Sequence, residues 1–195
     1  MRNVLREINF DDYPCCTTDD GESSFLEVLY GLESILLHML QRHTCVFFTM
    51  LELKIPSGDH LDEYFLITKF IESLERCFRG YKSELECLWV KEHSATGQHR
   101  YHLVLLLNGY QFRNAGLILQ KATERWNNWL DIWNEEGLVQ LSPAFDNKYG
   151  GFKIWNGYQP FPLIFAKCYR RIKSLAKFYC EGGTSNGSRR YDCSR

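Results

Sequence analysis

The stretch LECLWVKEHSATGQHRYHLVLLLNG, residues 85–109, holds the side chains best suited to chemistry. Two apolar runs flank a polar turn. Glu92 ends the first run, and His99, Arg100, Tyr101 and His102 open the second. Imidazole and carboxylate groups facing each other across two strands raise the question of a divalent metal site. Side chains alternate along a strand, so Arg100 and His102 share one face while His99 and Tyr101 share the other. Arginine stays protonated and cannot ligate a metal. The preferred reading is therefore a cross-strand ion pair between Glu92 and Arg100. The alternative is a bulge at Arg100 that brings His99 and His102 together.

These residues need a scaffold. From Phe25 to Leu40, apolar residues recur at helical spacing. The run TCVFFTMLELKIP, 44–56, reads as a strand that stops at Pro56 and Gly58. Leu61, Phe65, Phe70, Ile71, Leu74 and Phe78 mark a second helix ending at Gly80. Strands follow at 85–92 and 100–108. A third helix covers 114–135, with Leu119, Ala122, Trp126, Trp129, Leu130 and Trp133 as its inner face. GLVQLSP, 137–143, reads as a short strand, and the Gly-, Asn- and Pro-rich stretch 146–162 as a long loop. A last helix, 163–180, leads through GGTSNGS into the tail. From residue 44 the order is βαββαβ. This predicts an α+β fold, a split βαβ (ferredoxin-like) antiparallel sheet with helices packed on it, plus an N-terminal helix and a C-terminal basic helix. Residues 1–24 read as an acidic flexible leader, 25–180 as the folded domain and 181–195 as a flexible basic tail.

Composition sets the outer bounds. At 195 residues with 45% hydrophobic side chains, the chain can bury a sizeable core. No apolar run is long enough to span a bilayer, and the N-terminus shows no signal-peptide core, so the expected location is the cytoplasm. The eight cysteines include no CxxC pair, which argues against a cysteine zinc site; Cys45, Cys77 and Cys87 read as small core residues. The net charge of −1 argues against a strongly basic DNA-coating protein. The charge is uneven, however. Residues 166–195 hold eight Lys and Arg against Glu181 and Asp192, a net +6 that leaves −7 for the rest. That segment is either a phosphate-binding face or a solvated helix and tail.

Five blocks taken together carry a resemblance: MLELKIP (50–56), LWVKE (88–92), YHLVLLLNG (101–109), GLVQL (137–141) and RIKSLAK (171–177). In this order they resemble the replication-initiation proteins of filamentous phages and related prophages, the group with the YagK/YfjJ C-terminal type of domain. The resemblance covers roughly residues 25–180. It implies an HUH-endonuclease-like protein of a phage or mobile element. There, a His-hydrophobic-His strand and a third polar ligand bind Mn²⁺ or Mg²⁺, and a helix-borne tyrosine attacks a DNA phosphate to start rolling-circle replication.

Carried over residue by residue, the match is incomplete. Glu92 falls on the third-ligand position and His102 on the second histidine. Arg100 stands at the first, with His99 beside it, so the implied metal set is Glu92, His102 and His99. Glu52 matches an acidic position in the first strand. Ser174 occupies the tyrosine position, and Lys177 is retained. Tyr169 and Tyr179, five residues either side, are alternative nucleophiles but are rotated away from the Ser174 face by about 140°. Arg170, Arg171, Lys173 and Lys177 form the implied nucleic-acid-binding face. The resulting expectation is a protein derived from a rolling-circle initiator with a degenerate nicking site. It would act by binding single-stranded DNA or a host nucleic-acid-associated complex, for example as an inhibitor of a host defence such as CRISPR, and would need no cofactor. The alternative is an active nickase using Mn²⁺ or Mg²⁺.

Overall fold

The computed structural model describes residues 22–55, 62–93, 99–130, 137–143, 147–156 and 191–193. Helix α1, Glu22–Arg42, is followed by β1, Cys45–Lys54; α2, Glu63–Arg79; β2, Leu85–His93; β3, His99–Asn108; α3, Gly116–Leu130; β4, Val139–Leu141; β5, Gly151–Trp155; and β6, Tyr191–Cys193. The helix expected at 163–180, with its candidate nucleophile and basic residues, lies outside the described residues.

The strands form one antiparallel sheet in the order β4-β1-β3-β2-β6, with β5 also paired to β1. The inner order β4-β1-β3-β2 is that of the expected split βαβ sheet, so the fold is α+β. Strand alternation then divides the apolar side chains between two layers. Phe47, Leu51 and Leu53 of β1, Cys87 and Trp89 of β2, and Tyr101, Leu103, Leu105 and Leu107 of β3 pack against α2 and α3. Leu66, Ile67, Phe70, Leu74 and Phe78 come from α2, and Ile118, Ala122 and Trp126 from α3. On the other face, Val46, Phe48, Met50, Leu88, Val90, Val104 and Leu106 are buried, as are Val28, Leu32, Ile35, Leu36 and Met39 of α1.

Three contacts orient α1. Arg42 bonds Glu84 at 2.5 Å, His38 bonds Glu86 at 2.8 Å, and Gly31 stands against Leu88. The helix therefore runs antiparallel to β2, and the Glu92 end of the sheet lies towards the α1 N-terminus. At α2, the Asp62 carboxylate accepts from Phe65 N–H at 3.1 Å, an N-cap that fixes where the helix starts. No helix among the described residues is long and apolar enough to cross a membrane.

Three expectations need correction. Within the stretch expected as a loop at 146–162, Gly151–Trp155 is a strand paired with Cys45–Thr49. Trp129, expected on the inner face of α3, is 39% exposed, because the helix buries only the stripe through Ile118, Ala122 and Trp126. Within the supposed flexible tail, Tyr191–Cys193 pairs with Leu88–Val90. Cys45 and Cys87 are buried free thiols as expected, whereas Cys77 is only partly buried.

Candidate functional site

The pairing of β3 with both neighbours decides which groups can meet. His102 stands opposite Glu52 of β1 and Val90 of β2, and Arg100 opposite Lys54 and Glu92. The register runs without interruption from His93↔His99 to Leu85↔Leu107. No bulge forms at Arg100, and His99 stays on the opposite face from His102.

On the α1 face, His102 is the centre of a polar row. Its Nε2 lies 2.7 Å from Glu92 Oε2. A carboxylate only accepts, so Nε2 carries the proton and donates. Its Nδ1 faces Glu52 Oε1 at 3.8 Å, too far for a hydrogen bond, and is buried without a partner. Gln140 of β4, which stands opposite Glu52, donates to Glu52 Oε2 at 2.8 Å. Four strands thus contribute the row Gln140, Glu52, His102 and Glu92. His102 is 5% and Glu52 7% exposed. The expected ion pair between Glu92 and Arg100 is not formed. Although the two residues are directly opposed, Glu92 turns two residues along β3 to His102.

The other face has its own cluster, built on Glu63 in the first turn of α2. His99 Nδ1 donates to Glu63 Oε1 at 2.5 Å, Tyr101 Oη donates to Oε2 at 2.7 Å, and Lys91 Nζ lies 2.6 Å from the same oxygen. Burial alone would push the Glu63 carboxyl up. The hydrogen bonds from Lys91, His99 and Tyr101, with the charge of Lys91, outweigh it and hold the carboxyl at about 2. The Tyr101 phenol is raised, first by burial and then by its bond to Glu63 and the nearby negative charge. This cluster pins the start of α2 to β2 and β3, and it takes His99 out of reach of His102.

A divalent ion needs donors that converge. His102 Nδ1 and Glu52 Oε1 face one another, but Glu92 holds the other ring nitrogen, Gln140 holds the second Glu52 oxygen, and Arg100 places a fixed cation on the same face. Among the described residues, no three His, Cys, Asp or Glu side chains are grouped to hold a metal ion. As arranged, these residues do not fit one. Of the implied metal set, the structure joins His102 to Glu92, sets His99 apart and adds Glu52 and Gln140. Strand alternation alone places Glu52 and His102 on sheet faces, but it takes the β1–β3 and β1–β4 registers to bring Gln140, Glu52 and His102 into one row. Ser174, Lys177, Tyr169, Tyr179, Arg170, Arg171 and Lys173 lie outside the described residues.

A six-stranded antiparallel sheet whose first four strands follow the βαββαβ order, with an added N-terminal helix and a polar row centred on the β1–β3 pair, defines an α+β domain of the split βαβ kind. The YagK/YfjJ C-terminal domain matches residues 6–194, nearly the whole chain, and the protein belongs to that family. No match is found among curated proteins or among solved structures.

Proposed function

We propose that this chain descends from the rolling-circle replication initiators of phages and mobile elements, and that it acts by binding single-stranded DNA rather than by cutting it. The observation that carries this reading is the Glu92–His102 hydrogen bond of 2.7 Å beside Arg100. Where the resemblance calls for metal ligands, Glu92 and His102 are bonded to each other, His99 is bonded to Glu63, and a guanidinium stands at a ligand position. The sequence of residues 163–180 points the same way. Ser174 offers a short hydroxyl where a tyrosine is expected, and Arg170, Arg171, Lys173 and Lys177 remain as cations for a DNA backbone.

The test combines a binding assay with a denaturing gel. Labelled single-stranded DNA is incubated with the protein and Mn²⁺. The expected result is retention of the DNA in the native assay, weakening as salt rises, with no covalent adduct on the denaturing gel. An adduct lost in Tyr169→Phe or Tyr179→Phe would identify an active nickase. Failure to retain any DNA would redirect the search to a host protein complex as the partner.

A further inference from the structure

Next to the polar row of His102 lies a second row formed by Lys54, Arg100 and Glu92. Lys54 of β1 is directly opposite Arg100 of β3, which is directly opposite Glu92 of β2. In an antiparallel pair, opposed Cβ atoms stand about 5 Å apart, and like charges so placed repel. Such a pair is ordinarily relieved by a carboxylate. The carboxylate of this row, Glu92, is bonded to His102, and Glu52 in the neighbouring row is bonded to Gln140. Among the described residues, the ion pairs of the α1 face involve neither Lys54 nor Arg100. Arg100 Nε is buried with no hydrogen-bond partner, and His102 Nδ1 on the same face is likewise without one.

The backbone that carries Lys54 is held in place from behind. Lys54 N–H donates to Leu138 O at 2.8 Å, and Trp126 Nε1–H donates to Lys54 O at 3.1 Å. The end of β1 is thus fixed by β4 and α3. Lys54 is the last residue of β1 and Arg100 the second of β3, so the pair stands at the end of the two strands.

The geometry points to an anion clamp: Lys54 and Arg100 together bind one phosphate group, and in the setting of the function proposed above, on which this part rests, that group is a phosphodiester of single-stranded DNA. The guanidinium supplies a planar fork of donors, and the ammonium adds a point charge from the neighbouring strand. A phosphate oxygen between them removes the like-charge repulsion. The guanidinium at a ligand position then acts as a binding group that takes over the attraction for phosphate.

The experiment uses the full chain with two probes, inorganic phosphate and an oligothymidylate. On adding phosphate to the wild type, the Arg100 Nε–H resonance should shift and saturate; an unmoved resonance would overturn the clamp. In binding titrations with the oligothymidylate, Lys54→Met and Arg100→Met should each lose about fivefold or more in affinity. Each should also lower the slope of log affinity against log salt by about 0.7, the loss of one single-strand phosphate contact. Arg100→Lys should retain part of the affinity, because it keeps the charge and loses the fork. Methionine variants that keep the wild-type melting profile and bind the oligonucleotide with unchanged affinity and slope would overturn the clamp while leaving DNA binding intact. A wild type that takes phosphate at Arg100 but no oligonucleotide would uphold the clamp and refute the DNA reading.

Discussion

His99 and His102 stand three residues apart in one strand and serve different ends. Strand alternation made their separation legible from the sequence. What the sequence did not show is that Glu63, in a helix elsewhere in the chain, captures His99, Tyr101 and Lys91 together. That requires knowing where α2 begins relative to β3. The cluster has a measurable consequence. The folded-state carboxyl is depressed to about 2, so its contribution is complete above the ordinary value of 4.5 and fades as pH falls from there through about 2. Glu63→Gln should lower stability by about 2 kcal/mol at neutral pH, because three donors lose an ionised acceptor. In urea titrations, the gap between wild type and variant should narrow steadily below pH 4.5. A gap that is constant from pH 7 to pH 3 would show that the charge of Glu63 contributes nothing.

At the scale of elements, the apolar runs declared the central strands. LVLLL in β3 is apolar on both faces because α1 covers one and α2 and α3 the other. The helices were equally legible from their spacing. Strand β5 was not, since GFKIW is short and sits among glycines and asparagines that read as loop. Gly151 explains both facts. A Cβ at this position would press on the Phe48 carbonyl oxygen and lie 2.7 Å from Phe47 Cζ, so the strand docks on β1 only where a side chain is missing. Gly151→Ala should therefore destabilise the protein by about 1–3 kcal/mol, the usual range for overpacking. Hydrogen exchange should speed up at Cys45–Thr49, the β1 segment paired with β5, before it does at Leu51–Leu53, which pairs with β4. Uniform acceleration along β1 would mean that β5 and β4 come away together.

The whole molecule depends on how its sheet ends. Read by composition, residues 181–195 look like a tail, because Gly, Ser and Arg dominate and the apolar pattern that marked the other strands is missing. Pairing supplies what pattern cannot. Tyr191–Cys193 lies along Leu88–Val90 and occupies the edge of β2. An open strand edge of this apolar character is a template for pairing with another chain. A protein truncated before Tyr191 should keep its fold, since β1 and β3 at the centre of the sheet and the layer of α2 and α3 are untouched. It should, however, expose the backbone groups of Leu88–Val90. Light scattering across a concentration series should then show association that the full chain lacks under the same conditions, and amide exchange at Leu88–Val90 should accelerate. Adding back a peptide of the last residues should reverse both effects if edge pairing is the cause. Association that persists in the presence of excess peptide, with exchange at Leu88–Val90 no faster than in the full chain, would place the sticky surface somewhere other than the β2 edge.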